Sequence, residues 1–164
     1  MNLSINFIKK KHLNKKENIF FLLIILLIFS CDRVSKIGII NYLNERTYYI
    51  NDYINFDLIW NSGIGFGLLS YNSSLIYNLI TFLISIIILF LIFFALASKK
   101  IDKFIFSTII GGALGNLYDR MVYNAVPDFI DLHYSNFHWF TFNVADMFIT
   151  IGIITYLING IIEN

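Results

Sequence analysis

The sequence predicts an all-α membrane protein with four transmembrane helices and a small β-rich periplasmic platform between the first two helices. Hydrophobic residues make up 57% of the chain and charged residues 14%, whereas soluble domains average about 45–50% and about 25%. Residues 75–97 contain no charge, and they exceed the roughly 20 residues that cross about 30 Å of hydrocarbon. The bilayer is therefore the solvent for most of this chain.

Clustered lysines predict the topology. Eight of the twelve basic side chains fall in two short stretches, Lys9, Lys10, Lys11, Lys15 and Lys16, and then Lys99, Lys100 and Lys103. Lysines that flank a span stay on the cytoplasmic side, so the number of spans is even and both termini are cytoplasmic. We expect a cytoplasmic tail at 1–17 and one multi-pass domain at 18–164 in a bacterial inner membrane.

The first predicted span, 18–43, is apolar in FFLLIILLIF and then carries Asp32, Arg33 and Lys36 in its outer third. Charge at that depth is costly and indicates a function or a partner. The next segment, 44–74, is too polar to span. It is rich in Tyr and Trp, which suit the headgroup layer, and its glycine turns predict the outer platform.

The remaining elements follow in order. The charge-free block 75–97 is the second span, and KKIDK then makes a tight inner turn. The third span, 104–121, carries GGALG at 111–115, a small-residue face that lets another helix approach closely. An outer loop at 122–141 has no Lys or Arg, and 143–162 is the fourth span.

Cysteine and histidine usage narrows the chemistry. The single cysteine, Cys31, excludes an internal disulfide, and three scattered histidines lack metal-ligand spacing. We expect no metal, no cofactor and no nucleic-acid partner.

The polar residues that a bilayer disfavours collect toward the outer face of the predicted bundle. Three pairs of them, spaced four, four and three residues apart, project from one side of their helices. The set is Asp32, Lys36, Asn61, Asn116, Arg120, Asp128, Asn143 and Asp146. Three helix ends are therefore expected to converge on one pocket.

Two members of this set suit acid–base chemistry. Asp128 and Asp146 are separated by 146 − 128 = 18 residues, and the intervening loop can fold back to bring them together. Two carboxylates in a desolvated site share one proton, so one activates water while the other polarises a carbonyl. The pair titrates as a unit, and the pattern assigns neither residue as the acid.

Five motifs carry a resemblance over nearly the whole chain: DRVSK at 32–36, NSGIGFG at 61–67, GNLYDR at 115–120, VPDFID at 126–131 and FNVAD at 142–146. In this order and spacing they resemble the lipoprotein signal peptidases, or signal peptidases II. The resemblance implies an intramembrane aspartic endopeptidase, and we expect a monomer that contacts membrane lipids. Such an enzyme cuts diacylglyceryl-modified prolipoproteins just before the lipidated cysteine.

The resemblance also implies roles for particular residues. The catalytic pair corresponds to Asp128 and Asp146, near the periplasmic face. Substrate-binding or supporting residues correspond to Asp32, Lys36, Asn61, Asn116, Arg120 and Asn143. The chain departs from the usual pattern at Gly65, where alanine is common, at Met147, where serine is common, and in HWFTFN, which lacks a proline.

Several residues have alternative interpretations. Asp131 competes with Asp128 for a catalytic role, although we interpret it as a loop-ordering residue. Asp32 and Lys36 form either an interfacial ion pair with a snorkelling lysine or a substrate contact. Arg120 either pairs with Asp119 or Asp32, or orients the substrate backbone. Asp119 is expected to point elsewhere on its helix.

The sequence also allows other classes of protein. Intramembrane Asp, Asn and Arg also build ion pathways, but the second span offers only Asn78, Thr81 and Ser85. An inactive structural subunit is a further alternative. The segment IFSC, ending at Cys31, resembles the lipobox of a lipoprotein precursor, but a secreted lipoprotein would not carry three further spans.

Overall fold

A computed structural model describes residues 15–43, 46–62 and 73–162. In chain order the elements are α1 (Lys15–Leu43), β1 (Tyr48–Asn51), β2 (Ile54–Asn61), α2 (Ser73–Ala97), α3 (Lys100–Tyr123), β3 (Val126–Tyr134), β4 (Phe137–Phe142) and α4 (Val144–Ile162). The predicted tail up to residue 14, the glycines of 63–67 and the chain end at 163–164 lie outside the described residues.

Among the described residues, three helices are long and apolar enough to cross a membrane, namely α1, α2 and α4. Their outward faces expose large apolar side chains such as Leu23, Phe90 and Leu157. A helix in lipid satisfies its own backbone hydrogen bonds and needs no polar coat. These faces therefore suit contact with acyl chains.

The helix α3 lies at the centre of the bundle and packs against each of the other three helices. Its buried positions include Ile105, Ser107, Ile110 and the glycines of 111–115. Burial on several sides explains why α3 tolerates more polar residues than its neighbours.

Glycines on α3 set the close approach of its neighbours. A Cβ on Gly111 would lie 2.8 Å from Ile28 Cβ on α1, and a Cβ on Gly112 would lie 2.5 Å from the carbonyl oxygen of Ala145 on α4. A Cβ on Gly115 would meet the carboxylate of Asp32. The predicted small-residue face is confirmed.

The strands form one antiparallel sheet in the order β1-β2-β3-β4. The prediction of a platform at 44–74 was incomplete, because β3 and β4 come from the loop between α3 and α4. A lone two-stranded hairpin is marginally stable in water, so each hairpin gains from pairing with the other. Register places Ile59 opposite Asp128 and Asn61 opposite Val126.

The starts of α1 and α3 lie at the same end of the bundle, away from the sheet. Lys103 donates a hydrogen bond of 3.1 Å to Asn18 Oδ1, and its ammonium lies 5.8 Å from the centre of the Phe21 ring. The described members of the two predicted lysine clusters therefore adjoin this end, namely Lys15, Lys16, Lys99, Lys100 and Lys103.

We expect Gly112→Ala to destabilise the protein, because the added methyl group would collide with backbone rather than with a movable side chain. Overpacking of this kind costs about 1–3 kcal/mol. Gly38→Ala is the matched control, since a Cβ at Gly38 has nothing within 4 Å. Thermal unfolding in detergent should give a lower midpoint for the first variant and an unchanged or higher one for the second. Equal midpoints would contradict this packing account.

Candidate active site

The buried ammonium of Lys36 joins α1 to α3. Its Nζ donates to Asp32 Oδ2 at 2.9 Å, to Asn116 Oδ1 at 2.9 Å and to Asp119 Oδ2 at 2.7 Å. The side chains of Lys36, Asp32 and Asp119 are 0% exposed. All three ammonium protons are used. The expected ion pair between Lys36 and Asp32 is therefore present, but the ammonium is buried and does not snorkel to the interface.

The expectation that Asp119 points elsewhere was wrong. Its carboxylate accepts from Lys36 and pairs at 2.6 Å with Nη2 of Arg33. The Arg33 guanidinium also lies 4.8 Å from the centre of the Tyr118 ring. Sequence reasoning placed Arg33 in the first span but gave it no role. The only sequence feature that pointed to a role for Arg33 was the presence of opposite charges on α1 and α3. Spacing within one helix does not show which of these charges face each other.

Asp32 supports the start of α4. Its Oδ1 accepts a 3.0 Å hydrogen bond from the backbone N–H of Ala145. Backbone N–H groups in the first turn of a helix lack partners within the helix and favour negative charge. Asp32 thus accepts from Lys36 on one oxygen and from the first turn of α4 on the other.

Asn143 and Asp146 form a reciprocal cap on α4. The backbone N–H of Asp146 donates to Asn143 Oδ1 at 3.0 Å, and that of Asn143 donates to Asp146 Oδ2 at 3.1 Å. This is the arrangement of a capping box, and it confirms Asn143 as the helix cap. The other oxygen of Asp146 accepts from Asn116 Nδ2 at 2.7 Å.

Asp128 lies on β3 between two amide donors. Asn143 Nδ2 donates to its Oδ1 at 2.6 Å, and Asn61 Nδ2 donates to its Oδ2 at 2.8 Å. The side chain of Asn143 thereby contacts both Asp128 and Asp146. The structure brings these two aspartates, distant in sequence, to one asparagine, as the folded-back loop predicts.

Burial raises the pKa of the Asp128 carboxyl above its ordinary value. The hydrogen bonds from Asn61 and Asn143 favour the ionised form and oppose this shift, whereas the negative charge of Asp146 adds to it. Two neighbouring carboxylates cannot both ionise comfortably. The arrangement therefore favours the protonated form of Asp128.

An apolar groove adjoins Asp146. Its volume is about 530 Å³, and its lining is Phe140, Phe142, Asp146, Met147, Thr150 and Ile151. The groove runs between β4 and the outer face of α4. It places one carboxylate at the edge of a surface that suits an apolar chain.

Two other predicted residues have distinct surroundings. The guanidinium of Arg120 lies 5.5 Å from the centre of the Tyr77 ring, and its Nη1 is buried without a hydrogen-bond partner among the described residues. That leaves a donor for a ligand. Asp131 is buried, and its Oδ2 lies 2.8 Å from His138 Nδ1, which fits the interpretation of a loop-ordering residue.

Comparison with known proteins gives a consistent result. The family model of signal peptidase (SPase) II matches residues 24–162. A lipoprotein signal peptidase of Pelagibacter ubique (strain HTCC1062) is 50% identical over 155 residues, which covers 93% of each chain. That of Francisella tularensis subsp. novicida (strain U112) is 36% identical over 139 residues, covering 82% of this chain and 86% of that protein.

A solved structure also resembles this fold. It is described as a bacterial membrane enzyme, determined by the in meso method at 2.3 Å resolution. The two folds match with a TM-score of 0.72 at 26% sequence identity, over 94% of this chain and 92% of that one.

We expect Lys36→Met to destabilise the protein strongly, because it leaves Asp32 and Asp119 buried without the ammonium between them. Removing one partner of a buried ion pair costs about 3–5 kcal/mol. The control is Lys100→Met, since Lys100 is exposed. The measurement is the thermal midpoint in detergent together with the yield of folded protein. A Lys36→Met variant as stable as the Lys100→Met variant would show that the network is dispensable.

Proposed function

The chain belongs to the signal peptidase II family, and on that premise we propose that Asp128 and Asp146 are its catalytic pair. Membership of this family makes the chain a protease of the aspartic type that removes signal peptides from prolipoproteins. A transporter and an inactive subunit are set aside by this membership, and so is a lipoprotein precursor modified at Cys31.

One observation carries the assignment. Two carboxylates from different elements bond to the same buried asparagine, Asn143, where an apolar groove meets Asp146. Peptide hydrolysis by an aspartate pair needs one ionised and one protonated carboxyl group within reach of a water molecule. Burial and mutual repulsion at Asp128 favour that state.

The substrates we propose are diacylglyceryl-modified prolipoproteins. The apolar lining of the groove suits the hydrophobic segment of a signal peptide, and the exposed faces of α1, α2 and α4 suit lipid chains. A lipid attached to the substrate can then stay in the bilayer while the peptide enters from the side. Cleavage falls just before the lipidated cysteine.

The proposed reaction has two steps. The ionised aspartate takes a proton from water as the oxygen attacks the scissile carbonyl carbon, and the protonated aspartate donates its proton to the carbonyl oxygen. The gem-diol intermediate then collapses: the C–N bond breaks, the aspartate that took the water proton gives it to the amine nitrogen, and the other aspartate takes a proton from one hydroxyl group as the carboxylic acid forms. Both carboxyl groups return to their starting states without a covalent intermediate.

The supporting residues hold the pair in place. Asn61 and Asn143 orient Asp128, and Asn116 orients Asp146. Arg120, whose Nη1 lacks a hydrogen-bond partner among the described residues, orients the substrate backbone. Asp32 and Lys36 act through their contacts to α4 and Asn116.

The orientation in the membrane follows from the lysines. The bundle end that carries Lys15, Lys16 and Lys103 faces the cytoplasm, by the positive-inside rule. The sheet and the aspartate pair then lie at the periplasmic face. In this arrangement α3 also crosses the membrane, as the third of four spans in chain order, both termini are cytoplasmic, and residues 18–164 act as one monomeric domain among membrane lipids.

We expect Asp128→Asn and Asp146→Asn each to lower the cleavage rate by about 10²–10⁴-fold, the range for general acid–base groups. Asparagine keeps the shape of the side chain but cannot exchange the proton. The assay is conversion of a diacylglyceryl-prolipoprotein to its shorter form in detergent, followed by mass. The matched control is Asp52→Asn, in the exposed turn between β1 and β2, which should cleave normally. Full activity in either test variant would refute the assignment.

We expect Asn61→Ala to move the pH profile of cleavage to higher pH. Asn61 donates to the ionised form of Asp128 and so lowers its pKa. Without that hydrogen bond the carboxyl group holds its proton to higher pH, and both limbs of the profile shift in that direction. Asn78→Ala, on an exposed position of α2, is the control and should leave the limbs unmoved. A shift to lower pH, or none, would contradict the role of Asn61.

A further inference from the structure

A cluster of three potential metal ligands lies on the hairpin of β3 and β4, apart from the aspartate pair. The residues are Asp131, His133 and His138, and one ligand atom from each lies within 4.8 Å of the other two. His133 and His138 are register partners across the hairpin, and Asp131 is two positions before His133 on β3. Alternation of side chains along a strand places Asp131 and His133 on one face.

We propose that these three side chains bind a divalent transition metal ion, with Zn²⁺ the best match to the donor set. Asp131 Oδ2 lies 2.8 Å from His138 Nδ1 and 3.4 Å from His133 Nδ1. Zn²⁺ bonds imidazole nitrogen and carboxylate oxygen at about 2.0–2.2 Å, so ligand atoms around a tetrahedral ion lie about 3.4 Å apart. Small side-chain rotations therefore admit an ion between the three atoms.

Hydrogen bonds among the described residues do not satisfy every nitrogen of the cluster. A bond between Asp131 and His138 would satisfy one imidazole, but Nδ1 of His133 is buried and has no hydrogen-bond partner among the described residues. Buried polar atoms are rarely left without a partner. A metal ion would bond to this nitrogen, to His138 and to the carboxylate at once.

Access to the cluster is asymmetric. The side chains of Asp131 and His133 are 5% and 8% exposed, whereas that of His138 is 60% exposed. Two buried ligands provide a fixed base, and the third can swing aside to admit an ion from water. Three protein ligands leave a fourth position for a water molecule.

The ion would act as a clip across the hairpin. It would tie β3, which carries Asp128, to β4, which leads into Asn143 and α4. We infer a structural role, in which the ion stabilises the strands that present the catalytic pair and takes no part in the cleavage step. Spacing along the chain argues against a metal site, but the hairpin register brings two of the three histidines together.

The test uses the full chain in detergent, freed of metal by chelation, and titrated with Zn²⁺ in a calorimeter. We expect one ion per chain, and at least tenfold weaker binding in His133→Ala and in His138→Ala. His12→Ala, which changes the histidine outside the cluster, is the matched control and should bind as the parent chain does. His138 is exposed, so His138→Ala keeps the test valid even where His133→Ala folds poorly.

Two further measurements separate this proposal from the catalytic one. Zn²⁺ should raise the thermal midpoint of the parent chain and of Asp128→Asn, and it should not raise that of His138→Ala. Co²⁺ in place of Zn²⁺ should give visible absorption bands that depend on His138. Zinc binding that is unchanged in both cluster variants, or no binding by the parent chain, would overturn the proposal while leaving the aspartate pair untouched.

Discussion

The rest of the site depends on one buried ammonium group. Lys36 lies in an apolar bundle with oxygens of Asp32, Asn116 and Asp119 around its Nζ. A charge removed from water is tolerated only where such partners replace the lost hydration. The need to satisfy Lys36 therefore sets the rotation of α1 and α3 relative to each other. The absence of a Cβ at Gly115 leaves room for the Asp32 carboxylate between them.

From this ammonium a line of directed hydrogen bonds leads to Asp146 and Asp128, the proposed catalytic pair. Because Lys36 donates to Asn116 Oδ1, the amide nitrogen of Asn116 is turned toward Asp146. Because Asn143 Oδ1 accepts from the backbone of Asp146, its amide nitrogen is turned toward Asp128. Each amide has one end committed to the scaffold, so its donor end faces a carboxylate. Within the described part of the chain, amide donors and not cations hold the two carboxylates in place.

The sheet completes this arrangement where the bundle ends. Its inner strands come from separate loops, and their pairing places Asn61 of β2 beside Asp128 of β3. The groove beside Asp146 opens between the sheet and the outer face of α4. Acidic side chains and an apolar groove are thus adjacent, an arrangement that suits hydrolysis of a membrane-embedded peptide. The hairpin of β3 and β4 also carries Asp131, His133 and His138, near its turn.

The sequence by itself determined the apolar helices and the candidate residues of the site. A bilayer selects long apolar segments and makes each buried polar residue conspicuous, so local patterns placed Asp128, Asp146 and the neighbouring asparagines among those candidates. Only the tertiary structure decided the partners across elements: Asp119 with Lys36, the joining of both loops in one sheet, and His133 beside His138. Such pairings depend on the rotation of each helix about its axis and on strand register. Both result from packing of the whole chain, and periodicity within one segment does not specify them.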